Sequence, residues 1–278
     1  MDHLSEWVGR TETRDDQATA APIAALSATL DRDDPAPLPG SDVPPLWHWV
    51  YFLPLAKQSA IGPDGHAQRG GFLPPVPLPR RMFAGGRLEF HHPLQVGDEI
   101  TRTSRITDVS GKEGRSGKLV FVTVRHDISN AQGVALTEEH DIVYREDPKA
   151  GAYVANLRQA RSDETFSREI VPDPVLLFRY SALTFNAHRI HYDRPYVTGV
   201  EGYPGLVVHG PLIATVLVDL LRRSLPQARV RRFNFRAMRP LFDIYPFTAC
   251  GRRDGDRVAL WARDHAGWLA MDASADLV

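Results

Sequence analysis

Cysteine is nearly absent from this chain: Cys250 is the only one in 278 residues. A single thiol excludes an intrachain disulfide framework and fits a reducing compartment. Among strand-forming neighbours, Cys250 reads as a small buried hydrophobe rather than a nucleophile. No apolar run approaches the roughly 18 residues that suggest a membrane span. The segment 1–34 carries Asp2, Glu6, Glu12, Asp15 and Asp16, so neither a secretory signal nor an acid-poor transit peptide is expected there. A charge excess is missing too. With 33 basic and 34 acidic residues, net −1, nothing electrostatic favours nucleic acid or an anionic membrane as a partner. What remains is an ordinary globular composition, 43% hydrophobic and 24% charged, expected to be cytoplasmic. The length suggests two domains at roughly 150 residues each.

Proline divides the two halves in character. Residues 35–45 form a proline-rich connector, followed by the aromatic cluster Trp47-His48-Trp49-Val50-Tyr51-Phe52. Pro74, Pro75, Pro77 and Pro79 then fall within six residues. No regular helix passes through them, because each ring removes a donor and clashes with the preceding turn. Strand signals follow at Arg87–Phe90, Asp98–Val109, Lys118–Ile128 and Gly133–Arg145, with alternation clearest at Val120, Val122 and Val124. The polar stretch 146–169 reads as a linker, placing a domain boundary at 150/151.

The second half predicts one long helix from Pro211 to Ser224, with proline at its tolerant first position and Leu212, Ile213, Val216, Leu217, Leu220 and Leu221 at helical spacing. Strands are expected at Arg229–Met238, Tyr245–Arg252, Arg257–Asp264 and Gly267–Ser274. A helix followed by antiparallel strands implies a sheet wrapped around it. The pattern therefore predicts two α+β units, one intact and one altered.

Chemistry concentrates in the segment Tyr180–Asp193, which packs Asn186, His188, His191 and Asp193 into eight residues. Soon after, Pro204-Gly205-Leu206-Val207-Val208-His209-Gly210-Pro211 leads into the helix. Histidine suits proton transfer near neutral pH, and a helix start suits a developing anion. His188 and His191, at i and i+3, also invite a metal reading; no nearby Cys, Glu or third His completes a convincing set, so no metal is expected.

These residues resemble the hydratase motif of the MaoC-like (hydratase-2) hot-dog enzymes. The resemblance is closer to the branch holding mesaconyl-C4-CoA hydratases, itaconyl-CoA hydratases and mitochondrial 3-hydroxyacyl-thioester dehydratase type 2. It is carried by Trp47–Pro54, Phe72–Met82, Gly85–Leu88, Leu119–His126 and Phe185–Asp193. The resemblance implies a double hot-dog fold: two antiparallel sheets as a pseudo-dimer, a degenerate first half (1–150) shaping the pocket, and a catalytic second half (151–278). It implies reversible addition of water to a 2-enoyl-CoA, the branched dicarboxylic mesaconyl-C4-CoA or itaconyl-CoA above all. Two alternatives stay open: a dehydratase on 3-hydroxyacyl thioesters of CoA or a carrier protein, and a non-catalytic thioester-binding protein. A hot-dog thioesterase is a weaker alternative.

Residue by residue, the resemblance places His191 on the catalytic histidine, Asn186 on the catalytic aspartate and Gly205 on the glycine whose N–H faces the thioester oxygen. Phe185, His188 and Arg189 stand where the family has glycine, asparagine and proline. An amide cannot act as an acid–base carboxylate, so Asn186 implies a modified site in which it orients the water. His188 is a second polar contact or structural. Asp193 orients a histidine or caps a turn. Arg189 meets a substrate carboxylate, pairs with Asp193 or is solvated. Arg80, Arg81 and Arg87 contact the coenzyme A phosphates or simply decorate a turn. The basic run Arg222, Arg223, Arg229, Arg231 and Arg232 would suit an acidic carrier protein, or is a solvated edge. No cofactor is expected beyond the coenzyme A of the substrate, and homo-oligomers are compatible with the fold.

Overall fold

The computed structural model describes residues 2–114, 117–146 and 157–278. A single turn α1 (Asp2–Ser5) precedes β1 (Thr11–Gln17) and α2 (Ala20–Thr29). The first half then builds β2 (Arg80–Phe90), β3 (Glu99–Gly114), β4 (Gly117–Asn130) and β5 (Gly133–Arg145). The second half contributes β6 (Phe166–Ile170), α3 (Pro174–Leu183), α4 (Arg194–Gly199), α5 (Gly210–Ser224), β7 (Val230–Ala237), β8 (Phe247–Asp254), β9 (Arg257–Asp264) and β10 (Leu269–Leu277). The expected boundary at 150/151 lies outside the described residues.

The two expected sheets meet edge to edge. β2 pairs antiparallel with β7, so the order β1-β3-β4-β5-β2-β7-β10-β9-β8-β6 is one continuous ten-stranded sheet. Gly85 and Gly86 make that seam: a Cβ on Gly85 would lie 2.5 Å from the Phe235 carbonyl oxygen, and one on Gly86 would lie 2.9 Å from the Phe235 ring. Alternation sorts the faces of the first half. Leu88, Glu138, His140 and His126 turn inward, while Arg87, Glu139 and Asp141 turn outward.

Helix α5 is the hub of the core. It packs on β6, β8, β9 and β10. Every residue from Leu212 to Leu221 is buried, including Thr215 and Asp219, as befits a helix enclosed on all sides. One hydrophobic cluster runs from Leu26 and Trp47 through Leu88 to α5 and Phe233, so the halves share a core. Asp219, with no exposed side-chain surface, meets Arg32 at 2.6 Å, Arg223 at 2.7 Å and Arg168 at 3.1 Å. That cluster ties the segment after α2 and strand β6 to the central helix.

In the first half, the place of such a helix is taken by a 3₁₀ turn at Trp47–Val50 and a proline-rich coil. The turn delivers His48 and Trp49 to the inner sheet face. Both donate toward one carboxylate oxygen of Glu138, at 3.0 and 2.9 Å. Burial would raise this carboxyl, but the surrounding histidines outweigh it and hold Glu138 well below the usual range.

Several elements depart from the sequence expectation. β1 and β6 are edge strands with few apolar residues, and β6 takes the end of the expected linker: Phe166 lies over Gly251 and Ile170 joins the core. β2 begins at Arg80 rather than Arg87. Helix α3, capped by the Asp173 side chain on the Leu176 N–H at 2.8 Å, covers the start of the histidine motif. Among the described residues, no helix is long and apolar enough to cross a membrane.

Candidate active site

The motif is shaped by a sequence of local caps. α3 ends at Leu183, and Phe185 follows with φ of 49°, the left-handed region that glycine adopts freely. Phe185 therefore holds, at a steric cost, a backbone turn that glycine would make easily. Asn186 Oδ1 accepts the His188 N–H at 3.0 Å, an Asx turn that leaves the amide NH₂ to donate elsewhere. A 3₁₀ turn at Arg189–His191 then presents His191. Asp193 closes the motif by accepting the Tyr196 N–H at 3.1 Å, capping α4.

His191 is buried, and its Nδ1–H donates to the Val207 carbonyl at 2.7 Å. That bond selects the tautomer whose Nε2 carries the free lone pair. Its ring stacks on His209 with centroids 3.7 Å apart. His209 Nε2 in turn lies 2.8 Å from Ser181 Oγ, and His209 is the residue just before α5. His191 therefore sits against the start of the central helix. There Pro211 has no donor and Gly210 opens the first turn, an arrangement that favours negative charge.

Gly205 is buried just upstream. A Cβ there would lie 2.6 Å from Asp243 Oδ1 and 3.0 Å from Ile244 Cγ2, so packing alone demands glycine. Asp243 itself takes the Leu206 N–H at 2.8 Å and pairs with Arg194.

Part of the site comes from the first half. The loop Gly62–His66 lies directly on the motif: the Arg189 N–H donates to the Asp64 carbonyl at 2.9 Å, and Arg189 Nη1 to the Pro63 carbonyl at 3.0 Å. A Cβ on Gly65 would lie 1.8 Å from the Ala187 carbonyl oxygen, so only glycine permits this approach. His66 Nδ1 sits 3.0 Å from Asp64 Oδ2, and its ring lies 3.9 Å from that of His188. His188 stands edge-on to His191 at 5.4 Å. Four imidazoles thus form a row from Asp64 to Ser181: His66, His188, His191 and His209.

The other expected residues separate into two groups. Arg81 lies near enough for its charge to lower the proton affinity of His66 and His188, and its side chain bonds Tyr144. Among the described residues, no carboxylate pairs with it. Arg80 binds Glu201 and covers Tyr203. Arg189 is taken up by Asp193, at 2.7 and 2.9 Å, and by the face of Tyr196. Arg189 and Asp193 thus hold the turn together, the one as an ion-pair partner and the other as the cap of α4. Arg87 is not brought to the site. It points outward, pairs with Glu139 and Asp141, and lines a groove on the outer face with Arg236 and Asp272.

Sequence reasoning missed Asp64 and His66 as site residues. The only signal was an acid and a histidine flanking a glycine in the loop before the proline run. Two trios of the described residues have donor types close enough for a divalent ion, with atoms within 4.8 Å: Asp64, His66 and His188, and His126, Glu138 and His140. In both, donors are already engaged within the protein, His66 with Asp64, His126 with Ser104 at 2.7 Å, and Glu138 with His48 and Trp49.

Burial pushes five imidazoles below their ordinary value: His191 to about 4, His126 to about 3, and His66, His188 and His209 also downward. All five are neutral at pH 7. Above about pH 6.5 the unfolded chain keeps them neutral too, and no penalty arises. Below it the unfolded state binds protons that the native state refuses, so stability falls as pH falls. For His191 and His126, whose native values lie near 4 and 3, the slope approaches about 1.4 kcal/mol per pH unit per group between roughly pH 6 and 5. Urea midpoints at pH 7.5, 6.0 and 5.0 should decline steadily, and a flat profile would contradict this burial.

The family model of hydroxyacyl-thioester dehydratase type 2 matches residues 46–243. A mesaconyl-C(4)-CoA hydratase of Chloroflexus aurantiacus is 49% identical over 98% of this chain and 96% of its own. The mitochondrial hydroxyacyl-thioester dehydratase type 2 of Schizosaccharomyces pombe is 30% identical over 88% of this chain and 90% of its own. A Mycobacterium tuberculosis protein solved with a double hot-dog fold matches with a TM-score of 0.61 at 15% identity, covering 100% of this chain and 98% of that one. With its fused double hot-dog sheet and His191 set against the central helix, the chain belongs to the hydroxyacyl-thioester dehydratase type 2 family.

Proposed function

We propose that this chain is an acyl-CoA hydratase that adds water reversibly across the C=C of a branched dicarboxylic enoyl-CoA of the mesaconyl-C4 type. One observation carries the chemistry: a buried neutral imidazole, His191, with its Nε2 lone pair free and its ring against the first turn of α5. In the hydration direction, Nε2 takes a proton from water as the water oxygen bonds to the β-carbon. The π electrons move onto the thioester oxygen, where the Gly205 N–H and the start of α5 stabilise the enolate. Asn186 orients the water with its free NH₂. His191, Asn186 and Gly205 are thus the proposed catalytic residues. The chemistry calls on no cofactor, since coenzyme A arrives as part of the substrate.

The substrate class rests on the 49% identical relative and on Arg81. Its charge acts on His66 and His188 and it has no carboxylate partner among the described residues, which suits the second acid of a dicarboxylic acyl group. Purified protein offered mesaconyl-C4-CoA, itaconyl-CoA and crotonyl-CoA should hydrate a dicarboxylic substrate fastest, read as product mass. Arg81→Gln should remove that preference.

The second reading, a 3-hydroxyacyl-thioester dehydratase, is favoured by the family model; turnover of crotonyl-CoA alone would establish it. A carrier-protein substrate is disfavoured by the basic run. Arg222 covers Trp47, Arg223 pairs with Asp219, and Arg232 pairs with Glu89, leaving few of these cations for docking. Coenzyme A binding without turnover would favour the non-catalytic reading.

A further inference from the structure

The site has a base but no carboxylate at Asn186, and an amide neither gives nor takes a proton at neutral pH. The only carboxylate hydrogen-bonded to a member of the imidazole row among the described residues is Asp64, on a loop of the other half. Its placement does not depend on its side chain. The loop is held by backbone, through the Arg189 N–H on the Asp64 carbonyl and the close approach of Gly65 to Ala187. What the loop then presents is an imidazole whose Nδ1 faces a carboxylate, so that Nδ1–H donates to Asp64 and Nε2 is left as the reactive atom. That is the arrangement in which a carboxylate fixes a tautomer and steadies the imidazolium formed during proton transfer.

We propose that Asp64 and His66 supply across the two halves the acid–base function that Asn186 cannot: His66 is a second catalytic imidazole, and Asp64 is its positioning residue. The assignment rests on the hydratase reading. In the hydration direction, the proton that water loses to His191 reaches Nε2 of His66 through solvent in the site, since the His66 and His188 rings lie 3.9 Å apart in a tilted ring contact rather than joined nitrogen to nitrogen. The Asp64 carboxylate stabilises the transient imidazolium. His66 then delivers the proton to the α-carbon as the enolate electron pair re-forms the C–H bond and the thioester carbonyl. One water is consumed, the imidazoles end as they began, and no oxidant or reductant is needed. Burial makes each of these imidazoles a poor proton acceptor by itself, which is why a nearby anion matters.

The test uses the full-length protein and the dicarboxylic enoyl-CoA that it turns over fastest. His66→Ala should lower kcat about 100-fold with KM changed less than about threefold, and added imidazole should restore part of the loss. Asp64→Asn should lower kcat about tenfold or more, and Asp64→Glu should recover part of it. Unchanged kcat in both variants overturns the proposal, as does a loss confined to KM, which would mark the loop as a binding element only. Loss of wild-type activity on chelation, restored by Zn²⁺, also overturns it, because the Asp64, His66 and His188 trio would then be a metal site. Should the wild type hydrate no enoyl-CoA, the functional reading fails separately. The Asp64–His66 pair is then judged by ¹⁵N NMR of the His66 ring. Its Nδ1 should be protonated in the wild type and its titration shifted in Asp64→Asn; an identical titration overturns the pairing.

Discussion

Changing His191 to glutamine should lower kcat about 1000-fold while leaving the protein folded. The side chain is similar in length and can still meet the Val207 carbonyl, now bonded to Nδ1 at 2.7 Å, so the local turn survives. What disappears is a neutral lone pair able to take a proton from water, and general-base catalysis contributes about 10²–10⁴-fold. A 1000-fold loss corresponds to about 4 kcal/mol of transition-state stabilisation. KM should move little, because the role proposed for His191 is on water rather than on the coenzyme A moiety. Steady-state kinetics with a thermal unfolding control separates the outcomes. Activity within tenfold of wild type would transfer the base to another imidazole of the row.

The largest stability effect should come from Asp219→Ala. Its carboxylate has no exposed surface and is shared by Arg32, Arg168 and Arg223. Removing it leaves three guanidiniums facing a cavity on the buried face of α5. Breaking a buried ion pair from one side costs about 3–5 kcal/mol, about 6–10 °C in a protein of this size. Arg168→Ala should cost much less, because its guanidinium is 29% exposed in side-chain terms and can be hydrated. Thermal unfolding of both variants checks the ordering, and equal losses would mean that the carboxylate is not the centre of the cluster.

Much of the fold was legible because its strongest elements are local. The α5 pattern of Leu212, Val216 and Leu220 and the alternation of Val120, Val122 and Val124 report burial directly. β1 was illegible for the opposite reason. As an edge strand it reads Thr-Glu-Thr-Arg-Asp-Asp-Gln, with charges where a buried strand would carry branched apolar residues. The proline run correctly excluded a helix, yet nothing in it showed that the preceding loop would dock on the histidine motif. That contact joins Gly65 to Ala187, residues far apart in sequence, and no periodicity encodes such a meeting. Arg80, Arg81 and Arg87 looked equivalent in the sequence. The pleat and a register shift between Phe83 and Gly85 sent Arg87 outward and left Arg81 at the site.

The seam between β2 and β7 also governs how the molecule assembles in time. Gly85 must find Arg236, and Leu88 must find Phe233, with most of the chain lying between them. Closing so long a loop is entropically costly before any contact rewards it. Each half can form its hairpins early, but the row of imidazoles, drawn from both halves, is complete only after the seam has closed. The proposed active site therefore forms late in folding, and a recovering chain should regain sheet structure before it regains activity.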